Sequence, residues 1–103
     1  MKFPPENRCL QARINQSQSI HIRPAESQYP EETRITLDAS LDGLYFATSL
    51  GHYFVGMAVY VTRNFLLNDP SNREEEAKVV RVDVLKSGRW GVAIQRTLPV
   101  KLL

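Results

Sequence analysis

The chain has 103 residues, 43% of them hydrophobic, and a net charge of +2 at pH 7, which is the size and composition of one globular domain. It has no run approaching the roughly 18 apolar residues of a membrane span, and its first residues, MKFPPENR, lack the apolar core of a signal peptide. From these two features we expect a cytoplasmic protein, or a soluble module cut from a larger one. The single cysteine, Cys9, excludes an intramolecular disulfide and a cysteine-held zinc ion.

Residues 1–17 are predicted to form a flexible N-terminal arm. Two consecutive prolines discourage regular structure there, because proline lacks the backbone N–H that helices and sheets use. The arm carries Arg8 and Arg13, which could clamp a phosphate or remain ordinary solvated cations. The domain proper is predicted to span residues 18–103.

Six short β-strands are predicted after the arm, because apolar and polar residues alternate as they do in half-buried strands. The predicted strands span residues 19–23, 33–37, 44–48, 57–62, 77–85 and 90–95. The sequence KSGR at 86–89 predicts a hairpin turn between the last two strands. Since no stretch has the period of an amphipathic helix and closure removes exposed sheet edges, we expect an all-β fold, a six-stranded antiparallel β-barrel.

The alternation also assigns side chains to the two faces of each strand. Inward positions are predicted for Ile20, Ile22, Leu44, Phe46, Met57, Val59, Val61, Val80, Val82, Val84, Trp90, Val92 and Ile94. Val79, Arg81 and Asp83 then form the opposite face of the fifth strand. In the second strand Ile35 and Leu37 form the apolar face.

The polar face of that second strand contains Thr36 and is predicted to continue into DASLDG at 38–43. Asp38 offers two acceptor oxygens that match paired N–H donors, such as those at the edge of a guanine. Ser40 adds a hydroxyl on the same side, and Gly43 permits close approach or a positive φ. The same residues are typical of a turn capped by Asp and Ser, and spacing alone favours the turn.

The sequence shows no pattern of catalytic or metal-ligating residues. Cys9 has no local signature that links it to His21 or His52, and a free cysteine is usually an inert small hydrophobe. The acidic run at 74–76 is interpreted as a solvated segment that protects a strand edge. We therefore expect no enzymatic activity, no catalytic residue, no metal site and no cofactor.

Four segments, taken together and in order, resemble the PilZ domain family over residues 7–95: DASLDG, LYFAT, GMAVYV and AKVVRVDVLKSGRWGVAI. Asp38, Ser40 and Gly43 fill all three specified positions of the family's (Asp/Asn)-x-Ser-x-x-Gly motif. The resemblance implies a PilZ-type barrel that binds the bacterial second messenger cyclic di-GMP without catalysis. It implies that Asp38 and Ser40 face a guanine, while lead-in arginines close over the phosphates and the guanine Hoogsteen edge.

The family's lead-in pattern, Arg-x-x-x-Arg, is incomplete in this chain. Arg13 stands at its second position, but Cys9 stands at the first and Arg8 lies one residue further away. Losing one charge-assisted contact typically costs about 1.5–3 kcal/mol, or roughly ten- to a hundredfold in affinity. The chain is therefore either a cyclic di-GMP receptor or a degenerate PilZ domain that acts on an unidentified protein partner or parent-protein domain. The site predicted for the receptor comprises Arg8, Arg13, Asp38, Ser40 and Gly43.

A third hypothesis is a small barrel that binds single-stranded nucleic acid. Tyr45, Phe46, Tyr53 and Phe54 could then form a stacking platform, although Phe46 shares its face with the core residue Leu44. The small net charge and the acidic runs argue against a nucleic-acid partner.

Overall fold

Seven antiparallel strands form a single sheet in the computed structural model, which describes residues 17–97. The strands are β1 (Ser19–Pro24), β2 (Glu32–Ile35), β3 (Asp38–Ala39), β4 (Gly43–Thr48), β5 (Ala58–Arg63), β6 (Glu74–Val84) and β7 (Trp90–Arg96). Their order in the sheet is β2-β1-β5-β6-β7-β4-β3. The all-β prediction is confirmed for these residues, and none of them belongs to a helix long and apolar enough to cross a membrane. The predicted arm, except for its last residue, lies outside the described residues.

The two edge strands of the sheet, β2 and β3, are consecutive in the chain. The backbone N–H of Thr36 donates to Gln18 at 2.9 Å, whereas that of Leu37 donates to Tyr45 at 2.8 Å. The chain therefore changes its pairing partner from β1 to β4 between these two residues, which splits the predicted second strand in two. Within residues 17–97 no ladder joins β2 to β3. The sheet is an open half-barrel of seven strands, and the prediction of a closed six-stranded barrel is wrong.

The buried core confirms most of the predicted inward positions. The inward residues that are buried are Ile20, Ile22, Leu44, Phe46, Met57, Val59, Val61, Val92 and Ile94. Antiparallel pairing places them on one face because successive side chains in a strand point to opposite sides. Trp90 is only half-buried and lies against the backbone of Gly51.

The inward face predicted for the fifth strand, here β6, is corrected by a bulge. The register shifts between Val79, opposite Ile94, and Arg81, opposite Ala93, so Val80 is the extra residue. Val79 is therefore buried, while Val80 is 41% exposed. Val84, next to the hairpin turn, is 84% exposed, and of the three valines predicted inward only Val82 packs partly buried against the core.

The apolar face predicted for residues 33–37 is also wrong as a core face. Ile35 and Leu37 are 57% and 58% exposed, and Thr36 is buried. Thr36 is tolerated inside because its hydroxyl accepts the backbone N–H of Gln18 at 3.0 Å. Because the chain bends here, Thr36 and Asp38 do not share a face as predicted: Asp38 lies opposite Tyr45 on the outer face of the sheet.

The predicted hairpin turn is confirmed between β6 and β7. A 3₁₀ turn at Lys86–Gly88 connects them, and the N–H of Leu85 donates to Arg89 at 2.8 Å. Ser87 and Gly88 both have positive φ, 65° and 70°. Positive φ angles at consecutive residues favour glycine at one of them, which explains why Gly88 in KSGR predicted a turn.

Candidate functional site

An outer-face pocket of about 470 Å³ brings together the three motif residues predicted on the barrel. Asp38, Ser40 and Gly43 line one side of it, and Val80 and Arg81 line the other. The bulge at Val80 contributes to the pocket directly, because it turns that side chain outward. The predicted Arg8 and Arg13 lie outside the described residues, so their part in the site stays a prediction.

A row of four residues crosses the pocket from edge strand β3 to β6. Asp38 is opposite Tyr45, Tyr45 is opposite Ala93, and Ala93 is opposite Arg81. Directly opposed residues on neighbouring antiparallel strands put their side chains on the same face. The acid of the motif and a guanidinium therefore belong to one continuous surface.

The DASLDG loop closes through hydrogen bonds between Ser40 and Gly43. The N–H of Ser40 donates to the carbonyl of Gly43 at 2.8 Å, and the N–H of Gly43 donates to Ser40 Oγ at 3.2 Å. A Cβ at Gly43 would lie 3.4 Å from the carbonyl oxygen of Ile94, and its φ is not positive. That distance is an ordinary van der Waals contact, so the structure requires neither of the two roles proposed for this glycine, a close approach of the protein backbone or a left-handed conformation.

Arg63, at the end of β5, anchors the loop from outside the pocket. Its guanidinium donates to the carbonyls of Ser40 at 2.9 Å and Leu41 at 3.0 Å. Glu75 lies 3.9 Å from its Nε. Burial lowers the pKa of Arg63, but an arginine remains charged at any ordinary pH. The backbone N–H of Arg96 also donates to Asp42, at 2.8 Å, so two strands hold the loop in place.

Tyr45, Asp83 and Arg81 form a second cluster on the far side of the pocket. The Tyr45 hydroxyl donates to Asp83 Oδ2 at 2.9 Å, and Arg81 Nε donates to both carboxylate oxygens at 3.2 Å. The guanidinium carbon of Arg81 lies 5.3 Å from the centre of the Tyr45 ring. Partial burial and the bond to Asp83 raise the pKa of Tyr45, and the bond to Asp83 raises that of Arg81.

Gly91 makes room for this cluster. A Cβ there would overlap the Tyr45 hydroxyl oxygen and would lie 2.6 Å from Cζ. The Tyr45 side chain can therefore lie across β7 only because this position has no side chain.

Sequence reasoning missed the joint role of Tyr45, Arg81 and Asp83. Alternation placed Arg81 and Asp83 correctly on the polar face of their strand, but nothing local connected them to the motif. The proposed aromatic platform is not formed: Phe46 and Tyr53 are buried against each other, with ring centres 5.6 Å apart.

The acidic run at 74–76 is engaged in ion pairs. Glu74 accepts two hydrogen bonds from Arg23, at 2.8 and 2.9 Å, and Glu75 accepts from Arg96 at 3.2 Å. Within residues 17–97 no group of three or more His, Cys, Asp or Glu side chains is arranged to hold a metal ion.

The comparisons with known proteins show a structural likeness and no sequence match. No family model matches the chain, and no curated protein matches it. The chain is similar to the solved structure of the Bacillus subtilis inhibitor of motility (MotI/DgrA), with a TM-score of 0.63 and 16% identity. The match covers 86% of this chain and 42% of that one, so this chain spans less than half of its length. At this identity the likeness shows a shared fold.

Proposed function

We propose that this chain is a PilZ-type receptor module that binds cyclic di-GMP, has no catalytic activity and passes the signal to a protein partner. The observation that carries the proposal is the convergence of Asp38, Ser40 and Gly43 on one outer-face pocket of about 470 Å³. The fold shared with the Bacillus subtilis inhibitor of motility supports the proposal at the level of architecture. A cytoplasmic location is part of it.

The proposed roles follow from the donors and acceptors of each residue. The carboxylate of Asp38 would accept the paired N–H donors of a guanine. Ser40 would act mainly by shaping the loop, because its hydroxyl already accepts the N–H of Gly43. Arg8 and Arg13 would close over the phosphates from the arm.

The test is a calorimetric titration of the wild-type chain with cyclic di-GMP, with GTP as the control ligand. We expect saturable heat with cyclic di-GMP only. Asp38→Ala should remove it, and Asp69→Ala, which changes a partly exposed acid in a turn outside the pocket, should not. Unchanged affinity in a folded Asp38→Ala protein would rule out this site.

The second candidate is a degenerate PilZ domain that works through protein contact alone, as the name of the structural neighbour, an inhibitor of motility, would allow. The observation that favours it is Cys9 in place of the first lead-in arginine. If the wild type gives no heat, Cys9→Arg should create binding. A Cys9→Arg protein that still does not bind would show that Cys9 is not the defect.

A further inference from the structure

The side of the pocket opposite the DASLDG loop carries a guanidinium that no motif accounts for. Arg81 is the cationic residue among the described residues that line the pocket. Its side chain is 61% exposed, so its outer N–H groups are accessible from the pocket. The motif side of the pocket contributes two acids instead, Asp38 and Asp42.

The position of Arg81 is held from two directions. Asp83 accepts from Nε, and the Tyr45 ring supports the guanidinium on one face. Arginine has five N–H donors arranged as a planar fork, so engagement of Nε leaves the terminal amino groups to meet a second anion. A cation ordered before binding loses less entropy when the ligand arrives.

We propose that Arg81 is a ligand-binding residue that contacts a phosphate of the bound cyclic dinucleotide, with Asp83 and Tyr45 as the residues that position it. The inference rests on the proposed function and extends it to a cation outside both family motifs. Three strand spacings of about 4.8 Å separate the backbones of Asp38 and Arg81, roughly 14 Å in all. Both residues line the same pocket, so a cyclic dinucleotide whose base meets Asp38 and whose phosphates lie toward β6 would bring a phosphate to Arg81. Arg81 in β6 would then supply a positive charge to a site in which Cys9 replaces the first arginine of the lead-in pattern.

The chain offers a matched control for this arginine. Arg23 also pairs with an acid, Glu74, at 2.8 Å, and it also lies over a tyrosine, with its guanidinium carbon 4.5 Å from the Tyr60 ring centre. Arg23 does not line the pocket. Replacing either arginine removes the same charge and the same kinds of contact, so a difference between the two variants reports on position alone.

The experiment measures the affinity of the wild-type chain, Arg81→Ala, Arg81→Lys and Arg23→Ala for cyclic di-GMP by calorimetry, with thermal unfolding to confirm that each is folded. We expect Arg81→Ala to weaken binding about ten- to a hundredfold, the usual effect of one charge-assisted contact. Arg81→Lys should fall in between, because it keeps the charge and loses the fork. Arg23→Ala should bind as the wild type does.

Two results would overturn the assignment while the proposed function stands: wild-type affinity in Arg81→Ala, or equal losses in Arg81→Ala and Arg23→Ala. Absence of binding by the wild type would instead overturn both the function and the role of Arg81.

Discussion

Replacing Gly91 with alanine should displace the Tyr45 side chain and should lower stability only when that side chain is present. An added Cβ would lie 2.6 Å from Cζ and 3.2 Å from Cε1 of Tyr45, and the three nearest heavy atoms all belong to that residue. The ring must therefore move outward. Its 2.9 Å hydrogen bond to Asp83 breaks as a result.

The expected magnitude of the Gly91→Ala effect comes from two opposed contributions. A lost hydrogen bond to a charged acceptor costs about 1.5–3 kcal/mol, and a partly exposed pair such as Tyr45 and Asp83 lies near the lower value. Alanine in a strand interior is better than glycine by roughly 0.5–1 kcal/mol. The free energy of unfolding should fall by about 0.5–1 kcal/mol in the wild-type background. It should rise by about the same amount in a Tyr45→Ala background.

Urea denaturation of the four proteins of this cycle measures the coupling between the two positions. We expect a coupling energy of about 1.5 kcal/mol between Gly91 and Tyr45. The same cycle with Tyr60→Ala, at an aromatic residue that an added Cβ would not meet, should give a coupling near zero. If Gly91→Ala destabilises equally with and without Tyr45, the steric argument is refuted. Under the proposed function, Gly91→Ala should also weaken ligand binding, because it removes the support beneath Arg81.

Two further predictions concern the loop and the interior. Arg63→Met removes both hydrogen bonds to the loop carbonyls, so it should lower the free energy of unfolding by about 2 kcal/mol and speed amide hydrogen exchange at Gly43. The control variant Arg23→Met should leave the exchange rate at Gly43 unchanged. Equal exchange rates in the two variants would contradict the anchoring role of Arg63. Burial and the bond to Glu32 raise the pKa of Tyr53, so the folded protein keeps a proton that the unfolded chain releases near pH 10. Stability should then fall as the pH rises above about 10, by up to about 1.4 kcal/mol per pH unit for this group. Urea denaturation at pH 8 and 11 should show a shallower loss in Tyr53→Phe, and identical losses would exclude Tyr53 as the cause.

Most of the core could be predicted from the sequence because alternation reports burial one strand at a time. Ile20 and Ile22, or Leu44 and Phe46, are buried as predicted, since each pair lies in a regular strand whose parity is unbroken. The KSGR turn could be predicted for a similar reason, because it depends only on residues that are adjacent in the sequence. Its residue types encode the backbone conformation directly.

The errors occur where the chain departs from regular pairing. The bulge at Val80 adds one residue to β6, and a single added residue changes which side chains face inward. Between β2 and β3 the chain changes its pairing partner at Thr36 and Leu37, and this too changes which side chains face inward. Neither event has a signature in the residues themselves, because each depends on strands that lie far away in the sequence.

The candidate site also has a part that is local in the sequence and a part that depends on long-range strand pairing. Asp38, Ser40 and Gly43 lie within six consecutive residues, so their pattern could be read from the sequence, where spacing alone favoured a turn and the family resemblance implied a site. Their junction with Tyr45 and Arg81 depends on the registers of β3 with β4, β4 with β7, and β7 with β6. A shift of one residue in any of these ladders would turn a member of the row to the opposite face. The pocket is therefore a product of long-range pairing, whereas the loop on its edge is a product of local turn chemistry.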